Sequence, residues 1–141
     1  MIESWRWYGP LDKIELGQIA QTGALGIVNA LHEIPYGDVW TREAISARQT
    51  MIADAGYGQK WHVVESLPIH ERIKRGEGDL SELFANYRQS MANLAAEGLH
   101  TICYNFMPLI DWTRTRLDQP LKNGGTSLRF EQVQICALEM F

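Results

Sequence analysis

Trp61-His62-Val63-Val64 is a short run of apolar and aromatic side chains that ends at Glu65-Ser66, with Pro68 just beyond. Its brevity and its β-branched and aromatic content predict a strand rather than a helix. Three more runs share its character: Trp5 to Tyr8, stopped by Gly9-Pro10; Leu25 to Leu31, stopped at Pro35; and Thr101 to Phe106, stopped at Pro108. Interior runs this apolar suit strands buried on both faces, as in a parallel sheet.

Amphipathic segments lie between them. Leu80, Leu83, Phe84, Tyr87, Met91, Leu94 and Ala95 recur at helical spacing and predict one inward stripe. Asp79 with Glu82 forms a capping-box-like start, and Gly98 suits the left-handed residue past the end. Another helix starts at Thr41, turns Ile45, Met51, Ile52 and Ala55 inward, and stops at Gly56. A first helix runs from about Ile14 to Gln21, and a last one begins near Phe130. Strands alternating with helices predict an α/β protein with a parallel sheet, because each right-handed crossover needs a helix. The stretch from Met107 to Arg129 reads as irregular, with Asn123-Gly124-Gly125 between Leu121 and Leu128 as a hairpin turn.

The 141 residues are expected to form a single domain. The apolar pattern Phe130, Val133, Ile135, Ala137, Leu138 is still running at Phe141, so the chain is expected to be truncated. Pattern alone leaves two architectures open. One is the first half, about four βα units, of an eight-fold barrel that usually needs about 250 residues. The other is a complete open sheet of four strands.

Composition narrows the function. Thirteen Lys and Arg against 17 Asp and Glu give a net charge of −4, and no basic run is present, so nucleic acid is not an expected partner. No apolar run approaches the roughly 18 residues of a membrane helix. Met1-Ile2-Glu3-Ser4-Trp5 lacks the layout of a signal peptide. Two cysteines, Cys103 and Cys136, suit the reduced thiols of a cytoplasmic protein. Gly56-Tyr57-Gly58 and Gly76-Glu77-Gly78 each lack the third glycine of a phosphate loop. His32-Glu33 and His70-Glu71 each lack a second His four positions after the first, as a zinc helix would need. No Gly-x-Ser-x-Gly elbow occurs. These readings argue against nucleotide cofactors and serine hydrolysis.

Parallel α/β folds place their chemistry at the carboxyl ends of strands. At those ends stand Tyr8, then Asn29 and His32, then Glu65 and His70, then Tyr104 and Asn105, followed by Asp111, Arg114 and Arg116. Such a ring of donors and acceptors suits a polyhydroxylated or carboxylated ligand. Each residue also has a plain structural reading. Glu65 orients a hydroxyl, serves as acid or base, or pairs with a neighbouring-strand Arg such as Arg6. His32 is a titrating group near neutral pH or a loop residue. Arg114 grips a carboxylate with its fork or is neutralised by Asp111. His62 and His100 read as structural, His70 as a solvated loop residue, and the five Trp as packing more than sugar stacking.

Arg6-Trp7-Tyr8-Gly9-Pro10, Gly26-Ile27-Val28 with Ala30 to Pro35, Val63-Val64-Glu65-Ser66, and Cys103 to Pro108 followed by Asp111-Trp112-Thr113-Arg114-Thr115 together resemble the amino-terminal part of the D-mannonate dehydratases. The resemblance runs in order from about residue 5 to 130. It implies the first half of a TIM-type barrel, similar in shape to the xylose isomerase group. It also implies removal of water from D-mannonate to give 2-dehydro-3-deoxy-D-gluconate in hexuronate breakdown, with Mn²⁺ or Fe²⁺ as cofactor. The metal ligands implied by the resemblance lie beyond Phe141, and Cys103 is not among them. Tyr8, His32, Glu65, Asn105 and Arg114 are then the expected substrate contacts. The chain by itself is expected to be inactive, and a homo-oligomer is expected. The competing readings are a sugar isomerase or epimerase on the same barrel type, and a non-catalytic half-barrel that associates with itself or with a partner.

Overall fold

The computed structural model describes residues 1–107 and 112–138. Its elements in order are β1 (Ser4–Arg6), α1 (Leu16–Ala20), β2 (Gly26–Asn29), α2 (Arg42–Asp54), β3 (Lys60–Glu65), α3 (Glu71–Arg75), α4 (Ser81–Ala96), β4 (Ile102–Cys103), β5 (Arg116–Pro120), β6 (Thr126–Arg129) and α5 (Gln132–Leu138). They fall into two compact units, Met1–Phe106 and Met107–Phe141.

The first unit is α/β with a parallel sheet of order β1-β2-β3-β4, as the alternation predicts. Helices cover one face of that sheet. Ile19 of α1, Ile45 and Ile52 of α2, and Leu94 of α4 are almost wholly buried against Ile27 and Val64. Thr41 caps α2 by accepting the Ala44 amide at 3.3 Å. Such a cap satisfies one of the amides that the first turn leaves unpaired. Gly98 ends α4 with φ +80°, the left-handed conformation that glycine adopts without steric penalty.

Several expectations need correction. No described strand is sealed on both faces: Val28 of β2 is only partly buried, and Trp5 of β1, His62 of β3 and Cys103 of β4 are exposed. The apolar runs are therefore longer than the strands, and Trp7, Ala30 and Leu31 bury their side chains from the loops instead. Met51, Phe84 and Met91 are exposed, so the apolar stripes of α2 and α4 are wider than the face they bury. Asp79 is not the cap of α4: that position is Leu80, and Asp79 Oδ1 accepts the Ser81 amide at 2.9 Å from one residue earlier. The short α3 lies in a stretch with no apolar period to announce it.

In the second unit β5 and β6 pair antiparallel around the Asn123-Gly124-Gly125 turn, as expected. Asn123 Oδ1 accepts the Gly125 amide at 3.0 Å, and Gly124 takes φ +84°. The expected last helix is α5.

Candidate functional site

Strand pairing assembles the site. Arg6 of β1 is in register with Val28 of β2, and Val28 with Val63 of β3. Side chains alternate along a strand, so Glu65 shares the face of Val63 and hence of Arg6. This is the sheet's half-open face, where Val28 and Val63 are only partly buried. Arg6 Nη1 reaches Glu65 Oε2 at 3.0 Å across the intervening strand. Arg6, the partner considered for Glu65, is thus the one observed, but it stands two strands away rather than on the neighbouring strand.

The pair sits among aromatic groups. The Arg6 guanidinium lies 4.7 Å from the centre of the Tyr8 ring, and that ring stacks on His32 at 6.1 Å with 28° between planes. Tyr8 is held from behind: Asp12 Oδ2 accepts its amide at 2.7 Å while Asp12 Oδ1 accepts the Ile14 amide at 3.0 Å. Those backbone donors hold the Asp12 carboxyl below its ordinary range. Desolvation, then the Arg6 cation, push His32 below its ordinary value, which leaves the imidazole neutral at pH 7. Arg6 Nε is buried and donates to no group among the described residues. Chemically the cluster offers a guanidinium with a spare N–H, a carboxylate, a phenol and a neutral imidazole, all at the carboxyl ends of three adjacent parallel strands.

Tyr8, His32 and Glu65 are therefore brought together, joined by Arg6. Asn105 stands next to this group, its Nδ2 donating to Ser66 Oγ at 3.3 Å, one residue past Glu65. Arg114 belongs to the second unit, where Nη1 donates to the Thr113 carbonyl at 2.9 Å and the guanidinium lies 5.3 Å from the Trp112 ring centre. Asp111, the alternative partner for Arg114, lies outside the described residues. Asn29 is wholly buried and structural. His70 is a partly exposed loop residue, as expected, and its Nδ1 also accepts the Arg72 amide at 3.1 Å and caps α3. Arg116 pairs with Asp118 at 3.1 Å.

Sequence reasoning considered Arg6 only as the partner of Glu65. The available signal was its place two residues before Tyr8, which turns both toward one side of an extended segment. Among the described residues no three His, Cys, Asp or Glu side chains converge as a metal would require. Cys103 is a free, exposed thiol. These residues do not fit a divalent metal site.

The D-mannonate dehydratase family model matches residues 1–140. The chain belongs to the D-mannonate dehydratase family. It is 52% identical over its whole length to a mannonate dehydratase of Chromohalobacter salexigens and 51% identical to one of Marinomonas sp.. It spans 36% of the length of each of these family members. A solved family member, mannonate dehydratase from Streptococcus suis serotype 2, superposes with TM-score 0.87 at 41% identity, covering 96% of this chain and 38% of that one.

Proposed function

We propose that this chain forms part of the substrate side of a D-mannonate dehydratase, which removes water from D-mannonate to give 2-dehydro-3-deoxy-D-gluconate. The observation that carries the reading is the Arg6–Glu65 pair, flanked by Tyr8 and His32 on the open face of the sheet. A sugar acid presents one carboxylate and a row of hydroxyls. The part-exposed guanidinium of Arg6 suits the carboxylate, and Glu65 suits a hydroxyl proton. Neutral His32 accepts from a second hydroxyl, and the Tyr8 ring covers a carbon–hydrogen face. Asn105 and Arg114 complete the proposed contacts. Elimination starts by removing the proton beside the carboxylate, and a guanidinium on that carboxylate stabilises the charge that then develops. Mn²⁺ or Fe²⁺, implied by the family, is held in this proposal by residues other than these five and Arg6.

The sequential parallel order β1-β2-β3-β4, with one face open, supports the first half of a TIM-type barrel. The test is a chimera in which this chain replaces the matching 36% of the Chromohalobacter relative. Production of a keto-deoxy acid from D-mannonate supports the reading. Epimerised or isomerised product without loss of water supports the isomerase alternative, and a folded, inert chimera refutes both. The 141 residues by themselves are expected to show no turnover.

A self-associating reading is favoured by one observation. Phe84, Met91, Tyr104 and Phe106 are exposed together with Tyr87 and Ile102 in an apolar groove beside β4, one of the two edge strands of the sheet among the described residues. Such a surface suits a second copy of the chain, and a dimer or larger species on sizing supports the homo-oligomer. No helix among the described residues is long and apolar enough to cross a membrane. With both cysteines free, a cytoplasmic site of action is proposed.

A further inference from the structure

Arg48 stands in the middle of α2 with only 4% of its surface exposed. A charge in that position is expensive unless every donor is used. Its guanidinium makes three hydrogen bonds, all to the end of β2 and the loop after it, and packs against Trp7 and Gly9 of the loop after β1. Nη1 donates to Asn29 Oδ1 at 2.5 Å and to the Ala30 carbonyl at 3.1 Å, while Nη2 donates to Glu33 Oε1 at 2.8 Å. The group also lies 5.8 Å from the Trp7 ring centre. Asn29 Nδ2 extends the network to the Trp7 carbonyl at 2.5 Å. Gly9 completes the seat: with φ +97°, it would bring a Cβ to 3.1 Å from Arg48 Nη1.

The contacted residues bracket the two stacked rings. Trp7 and Gly9 stand on either side of Tyr8; Ala30 and Glu33 stand on either side of His32. Glu33, the only anion in direct contact among the described residues, is 59% exposed, so charge neutralisation alone is a weak reason to bury this cation. A fork of fixed geometry that must touch two loops at once is a better one.

We propose that Arg48 is a positioning residue that sets the spacing of Tyr8 and His32 by clamping the loops after β1 and β2. Its importance for catalysis rests on the proposed role of those rings in binding the sugar acid, but the clamp itself is testable apart from that role.

The test is NMR of the 141-residue chain carrying Arg48→Lys or Arg48→Met. Cross-peaks between the Tyr8 and His32 rings report the spacing, and the methyl signals of Ile27, Ile45 and Leu94 report the core. The expected result is loss of at least half of the inter-ring intensity in both variants, with the core signals unmoved. Lysine keeps the charge but not the fork, so it does not rescue the contact. An intact ring contact in either variant overturns the proposal, as does a core that shifts in both. Should Arg48→Met fail to fold, Glu33→Gln leaves the helix residue in place and removes the exposed carboxylate. It is expected to weaken the ring contact, and no change refutes the clamp. A titration of the unaltered chain with D-mannonate reads the substrate role separately. Unmoved Tyr8 and His32 signals there count against that role and leave the clamp standing.

Discussion

Arg6→Ala separates a surface ion pair from a substrate grip by the size of its effect. The Arg6 and Glu65 side chains are 27% and 43% exposed, and pairs this wet contribute about 0.2–1 kcal/mol. The guanidinium over the Tyr8 ring at 4.7 Å adds about 0.5–1 kcal/mol at such a site. The structural loss is thus at most about 2 kcal/mol, a fall in Tm on the order of several degrees for a chain of this size. A donor aimed at charge that develops during the reaction is worth far more: removing one costs roughly 10²–10³ in turnover. In the chimera, Arg6→Ala is therefore expected to lower kcat/KM for D-mannonate by at least about 100-fold while Tm falls only modestly. Arg6→Lys should fall between, keeping the charge and losing the fork. Steady-state kinetics and thermal unfolding on the same preparations decide it. A kcat/KM within about threefold of the parent, with the expected small drop in Tm, would leave Arg6 a plain ion-pair partner and sink the proposed site.

Arg114→Ala in the chimera should raise KM for D-mannonate by about tenfold or more, the loss of one charge-assisted contact. Unchanged KM and kcat remove it from the site. Leu94→Ala deletes a side chain with 0% exposure between α4 and the sheet, so it should cost about 2–5 kcal/mol in a urea titration. A loss under about 1 kcal/mol would mean that α4 is not seated as described. His32 is lowered in the folded state by desolvation and by Arg6, so the unfolded chain binds more protons in the window below its ordinary value. Its stabilising contribution is complete above about pH 6.5 and is lost as pH falls through the folded value. His32→Gln should flatten the fall in stability over that window relative to the parent, and parallel curves would refute the assignment.

Local periodicity carried much of the fold. The helical spacing that announces α4, Thr41 before α2, and Asn123-Gly124-Gly125 between β5 and β6 are all decided within a few residues of chain, and each of these elements stands where pattern put it, although only Leu94 of the seven stripe positions is buried. Strand ends were less legible. Trp7 and Leu31 are as apolar as the strand residues before them, but they bury themselves from loops, and hydrophobicity does not separate the two cases. The exposed Met51 and Phe84 show the same limit on helices: periodicity locates a stripe, while its breadth depends on what lies opposite.

The site divides along the same line. Tyr8, His32 and Glu65 were visible because each ends or directly follows an apolar run, and that position alone carries meaning in a parallel sheet. Arg6 and Arg48 acquire theirs only through pairing at a distance. Arg6 meets Glu65 because β2 separates their strands in the observed register, and a slip of one residue would turn either side chain to the opposite face. Arg48 reads from sequence as an ordinary polar position on α2. Only the crossover that lays α2 against the sheet turns it toward Asn29, Ala30 and Glu33. Groups that present themselves to a ligand can therefore be read from the chain's local grammar. Groups that hold those groups in place are written in the register between elements, and variants at Arg48 test that second layer without touching a proposed substrate contact.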